Sequence, residues 1–186
     1  MDFRTLIWLL PVALALHEAE EWNIHGWYQR NFVDLPAGRT KTTIRFFLVF
    51  LSIVGFIWTG TAALWGKPSS TAIILLPLVA LIAQNVIQHI YWHFYFGQYA
   101  PGILTAVLVL GPLVAYFVFV SLAQGLVPEW YVILLGALML PGLVETIRAR
   151  NRLTQAIVVI HKFSRTAVKR LGIQDADSCS QSRDAA

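Results

Sequence analysis

Charged side chains are scarce in this chain. Lys, Arg, Asp and Glu together make up 13% of its 186 residues, about half the share of an ordinary soluble domain. Cysteine occurs once, at Cys179 in a polar tail. One thiol cannot staple a fold, and it lies too far from the carboxyl end to be a prenylation box. The zinc box HEXXH is missing, because Glu21 stands where that pattern needs His. No internal repeat is visible, and five helices without an inverted repeat make a secondary transporter less natural. A basic groove for nucleic acid is excluded as well. The net charge of +4 comes from Lys and Arg that crowd into two places, both flanking apolar segments.

Apolar residues dominate instead, at 57%. Five segments stand out: Phe3 to Trp22, Ile44 to Trp65, Thr71 to Phe96, Gly102 to Leu122 and Trp130 to Ile147. A soluble protein this small lacks the interior to hide them, so lipid is the expected solvent. Pro- and Gly-rich punctuation separates the segments, and Trp and Tyr gather at several of their ends, as interfacial belts require. The fold predicted is all-α: a polytopic membrane helix bundle of about five transmembrane helices, with a cytoplasmic amphipathic tail helix. Residues 1–148 form the transmembrane domain, 149–172 a basic interfacial helix, and 173–186 a disordered tail.

If all five segments span, Arg30, Arg39, Lys41, Arg45, Arg148, Arg150, Arg152, Lys162, Arg165, Lys169, Arg170 and Arg183 fall on one side, against Arg4 and Lys67 on the other. That bias predicts an external amino terminus and a cytoplasmic tail. Reading Leu6–Leu16 as a secretory signal cleaved at Ala13-Leu14-Ala15 would put both basic clusters outside, against the same rule.

Ionisable groups inside lipid are costly and mark function. His17, Glu20 and Glu21 share one helical face near the end of the first segment, with Glu18 about a quarter turn away. Asn85, His89 and His93 follow i, i+4, i+8 on the third segment, and Glu145 lies near the end of the fifth. With the alternating topology these three groups share one depth, toward the cytoplasmic leaflet. Imidazoles and carboxylates on facing helices suit zinc, iron or manganese. His17, Glu20, Glu21 and His89 are the candidate metal ligands. Glu20, Glu21 and Asn85 are the candidate catalytic groups, and Glu18, His93 and Glu145 are possible additional members. Blander readings stand beside these: a solvated collar at His17–Glu21, an interhelical hydrogen bond at His89, an interfacial His93, and a Glu145–Arg148 pair. His25 and His161 read as surface residues.

His17-Glu18-Ala19-Glu20-Glu21 resembles the signature of the bacterial membrane family named for its HXXEE motif. Asn85-Val86-Ile87-Gln88-His89 is similar to that family's second motif, and Gln98-Tyr99-Ala100-Pro101-Gly102 also looks family-like. The resemblance covers roughly Leu6 to Glu145. It implies a polytopic protein of the bacterial cytoplasmic membrane and carries over His17, Glu20, Glu21, Asn85 and His89, but it supplies no substrate. The function expected is a metal-dependent enzyme acting on a lipid or other membrane-embedded substrate. It loosely resembles intramembrane metalloproteases of the CAAX-processing type, although the spacings differ. The alternatives are a metal-free acid–base lipid isomerase, a proton- or cation-handling protein, or a structural protein with a polar lock between helices. Membrane lipids are the expected partners.

The charge bias generates the first prediction. A reporter fused after Leu171 should signal from the cytoplasm, and one placed before Phe3 from outside. A tail fusion reporting from outside would overturn the topology.

Overall fold

The computed structural model describes residues 3–33, 35–36 and 39–173. The elements are α1 (Phe3–Leu6), α2 (Leu9–Glu20), a 3-10 turn (Glu21–Asn23), α3 (Ile24–Asn31), α4 (Lys41–Leu64), α5 (Pro68–Phe96), α6 (Ile103–Thr105), a π turn (Ala106–Leu110), α7 (Gly111–Ala123), α8 (Glu129–Ala149) and α9 (Gln155–Arg170). No strand occurs among the described residues. Four helical stretches are long and apolar enough to cross a membrane: Lys41–Leu64, Pro68–Phe96, Ile103–Ala123 and Glu129–Ala149. The all-α bundle is as the sequence implies.

The first apolar segment differs from expectation. It is not a fifth long helix but two short ones, broken at Ile7-Trp8. Pro11 is the physical cause. It has no N–H to offer the Ile7 carbonyl, which takes Leu10 N–H at 3.3 Å instead. The segment is nevertheless deeply embedded, with Leu6, Ile7 and Leu10 among the largest fully buried side chains.

Helix α5 is the hub, packing against α4, α7 and α8. In its most apolar window 44% of residues are buried, against 6% for α8, so α8 is the peripheral member. Helix α2 packs along α4, with Leu14 lying over Gly55 so closely that a β-carbon there would stand 2.9 Å from Leu14 Cδ2. Helix α8 approaches α5 at Gly142, over which the Gln84 amide lies. One turn on, Gln88 donates to Thr146 at 3.4 Å. The tail helix α9 starts at Gln155, rests on α4 with Phe163 5.2 Å from Phe50, and buries His161, Ser164 and Val168. Leu171, just past the end of α9, is exposed. The expected disorder of the last residues, and Cys179, lie outside the described residues.

Pro77 sits inside α5 and cannot donate to the carbonyl of Ile73. The Tyr131 hydroxyl, from α8, supplies the missing donor at 2.8 Å. Beside it, Trp58 of α4 donates to the Ile74 carbonyl at 2.8 Å. A proline-made gap in one helix thus becomes a tether for two others.

Tyr131→Phe should lower unfolding stability in detergent by about 1 kcal/mol. The same change in a Pro77→Ala background, where the helix satisfies its own carbonyl, should cost nearly nothing. Equal costs in both backgrounds would show that the tether does not act through the Pro77 gap.

Candidate functional site

The site begins with the spacing of His17 and Glu21, one helical turn apart. Helix α2 ends at Glu20 and tightens into the 3-10 turn, which still presents Glu21 inward. His89 of α5 meets them there. Its Nε2 lies 2.8 Å from Glu21 Oε1, and its ring centroid is 4.8 Å from that of His17. His17 Nε2 lies 3.9 Å from the same Glu21 oxygen. His17, Glu21 and His89 are all buried, and their ligand atoms lie within 4.8 Å of one another.

Glu20 does something else. Its carboxylate accepts Leu104 N–H at 3.1 Å, Thr105 N–H at 2.8 Å and the Thr105 hydroxyl at 2.6 Å, and the Tyr99 hydroxyl also donates to it. It therefore caps the start of α6, where backbone donors are unpaired and the helix dipole is positive. Burial and the Glu20 carboxylate push the Tyr99 phenol up to about 12, so it stays a donor at neutral pH. Thr105 transmits the effect to the site, because its oxygen lies 2.8 Å from His17 Nδ1. With the single hydroxyl proton directed to Glu20, that oxygen accepts from His17 Nδ1–H. The neutral imidazole then carries its lone pair on Nε2, a buried atom with no hydrogen-bond partner.

Gly102 closes the site from the loop before α6. Its φ is 91°, and a β-carbon there would lie 2.8 Å from Cε1 of both His17 and His89 and 3.0 Å from Glu21 Oε1. Only glycine offers both the left-handed backbone and the room. The family-like pentapeptide Gln98–Gly102 pointed to this loop. Nothing in the sequence pointed to Thr105.

The other predicted residues divide. Asn85 lies beside His17, and its Oδ1 is buried without a partner. Glu18 is 4% exposed with an unpartnered Oε2. It is no solvated collar residue, nor are His17 and Glu21. His93 does not join the group. Its Nδ1–H donates to the Gln98 carbonyl at 3.0 Å on an exposed edge. Glu145 does not join either, because it accepts Gln155 N–H at the start of α9. Its helix packs on the Gln84–Gln88 side of α5, away from α2. The third contributor to the site is thus the α6 loop and not α8. His25 and His161, expected at the surface, are buried at 8% and 5% exposure.

Glu18, Glu21, Asn85 and His89 line one wall of a cavity of about 350 Å³ between α2, α3, α4, α5 and α9. The rest of its wall is mainly apolar, with Phe47, Leu51 and Ile82 among its members.

A family model described as "Protein of unknown function with HXXEE motif" matches residues 8–117. The chain belongs to the HXXEE family. The matched stretch holds His17, Glu20, Glu21, Asn85 and His89, together with Gly102 and Thr105. No curated protein and no solved structure matches the chain. In this HXXEE protein, then, the two glutamates of the motif have different partners: Glu21 faces the histidines and Glu20 holds the helix that carries Thr105.

Gly102→Ala should destabilise the protein by about 1–3 kcal/mol more than Gly97→Ala. Both glycines have positive φ, but nothing lies within 4 Å of a β-carbon at Gly97. Thermal unfolding in detergent measures the difference, and equal losses would exclude a tight cap over the histidines.

Proposed function

We propose that this HXXEE protein is an integral membrane enzyme that holds a divalent metal on His17, Glu21 and His89 and acts on an amphiphilic substrate in the adjoining cavity. The charge bias favours a site toward the cytoplasmic leaflet. One observation carries the metal reading. His17 Nε2, oriented through Thr105 and Glu20, directs an unshared lone pair at the Glu21 carboxylate over 3.9 Å, beside a second imidazole. Two electron-rich atoms held face to face without a proton between them suit a cation. The donor set of two imidazoles and a carboxylate fits zinc, iron or manganese.

A bound metal would supply Lewis acidity at an open coordination position. The chain's own groups would do the rest. Glu20 and Thr105 fix the His17 tautomer. Glu18 reaches the cavity with an unpartnered oxygen and is placed to hold or move a proton. Asn85 stands beside His17 with a free carbonyl oxygen that can orient a polar group. The apolar wall excludes water and accepts a hydrocarbon chain.

A second reading has its own support. The 2.8 Å contact between His89 and Glu21 is an imidazole–carboxylate hydrogen bond complete without metal. On that reading the pair moves protons, as an isomerase would require.

Metal analysis of purified protein separates the two. The metal reading expects about one equivalent per chain, lost in His17→Ala, His89→Ala and Glu21→Gln. Glu20→Gln should keep the metal but lose about 1.5–3 kcal/mol of stability, the usual range for hydrogen bonds to a charged group. Folded protein that takes up no zinc, iron or manganese leaves the acid–base reading. Metal lost in Glu20→Gln without loss of stability would make Glu20 a ligand instead.

A further inference from the structure

The cavity has a second polar end that the triad does not use. Arg39 lies there with its guanidinium 3.9 Å from the centre of the Tyr28 ring. Its Nε and Nη1 are buried and have no hydrogen-bond partner, and no described acid forms an ion pair with it. His161 of α9 lines the same end, 5% exposed, with Nε2 also buried and unpartnered. His25 holds this arrangement in place, since its Nε2–H donates to the Arg39 carbonyl at 3.2 Å. Glu18 and Glu21 also line the cavity, and neither forms an ion pair with Arg39.

Beyond its contact with Tyr28, the guanidinium keeps two buried N–H groups, on Nε and Nη1, without an acceptor, and buried donors left unpaired are costly away from water. Burial lowers the Arg39 pKa, and burial together with Arg39, Arg165 and His25 holds His161 down to about 4. Every described charged neighbour acting on His161 is basic. Such a pocket is incomplete until something anionic enters it, and Arg donors of this kind recognise phosphate and carboxylate. Tyr28, on α3, and Glu21, in the 3-10 turn before it, both line the cavity, so the Arg39 end adjoins the triad. Beyond the triad the cavity continues between apolar residues to Leu14, Trp58 and Leu78.

We propose that Arg39 and His161 form a binding subsite for the anionic head of the amphiphile in this cavity, a phosphate or carboxylate carried on a hydrocarbon chain. The anionic head sits at Arg39 and His161, the reacting centre at Glu21 and His89 adjoins it, and the apolar chain extends past them toward Leu14, Trp58 and Leu78. This assignment rests on the cavity being the substrate pocket, but not on a metal in the triad.

The test uses the full chain in a neutral maltoside detergent, titrated with dodecyl phosphate, dodecanol or inorganic phosphate and followed by thermal stabilisation. Dodecyl phosphate should stabilise the protein at concentrations where dodecanol does nothing. Inorganic phosphate should need at least about tenfold more, because it lacks the chain. Arg39→Gln and His161→Ala should each raise the half-maximal dodecyl phosphate concentration by about tenfold or more. Arg39→Lys should fall between, since it keeps the charge but loses the planar donors. His17→Ala, which removes a proposed metal ligand that does not line the cavity, should leave that concentration within about twofold of wild type, so the metal reading can fail while the subsite stands. If Arg39→Gln does not fold, His161→Ala and Arg39→Lys carry the test. Stabilisation by dodecanol equal to that by dodecyl phosphate would overturn the subsite, as would affinity unchanged in the Arg39 and His161 variants. Inorganic phosphate as potent as dodecyl phosphate would make this a free-anion site and overturn the amphiphile.

Discussion

The Glu20 carboxylate is the point on which the site depends. It ties the end of the first segment to the start of the α6 helix through two backbone N–H groups and a hydroxyl. Such charge-assisted bonds are roughly twice as strong as neutral ones. This tether sets the height of α6 and so brings the Gly102 turn down onto the imidazoles. The same contact passes through Thr105 to fix which nitrogen of His17 carries its proton. Architecture and site chemistry are thus coupled through one side chain.

The cavity repeats this economy on a larger scale. Its polar groups fall into two sets, Glu18, Glu21, Asn85 and His89 in one, Arg39 and His161 in the other. The rest of the wall is mainly apolar. Helix α8 takes no part in the cavity. Its role is mechanical, through the Tyr131 hydroxyl on the Ile73 carbonyl and the Gln84–Gly142 and Gln88–Thr146 contacts.

Much of this was legible in the residues. Long apolar runs marked the four helices, and i, i+4 spacing placed His17 and Glu21 together. What periodicity could not do was separate Glu20 from Glu21. Both sit on nearly the same face, and only the meeting with α6 assigns one to the cap and the other to the histidines. The Asn85–His89–His93 stripe misled for a geometric reason. Each four-residue step turns the helix by about 40°, so over two steps His93 swings off the face that Asn85 and His89 share. Glu145 lies at the expected end of its helix but on a helix packed to the wrong side of α5. His25 and His161 looked superficial because neither lies in an apolar run. Their burial comes from α3 joining a cluster with α4 and α5 and from α9 folding against α4, which is tertiary information. Pro11 stands in the sequence, but that it divides the first segment into two short helices depends on where the Ile7 carbonyl finds its donor.

The tail helix gives the molecule a division of labour. The family match ends at residue 117, before α9, yet Ile157, Ile160 and His161 of α9 form part of the cavity wall. The triad, its glycine cover and the Glu20 tether all lie within the matched stretch. Substitution along α9 therefore reshapes what the cavity admits without touching the groups that would do chemistry. The cavity is thus closed partly by a segment outside the family match, and its shape can differ where the motif residues are the same.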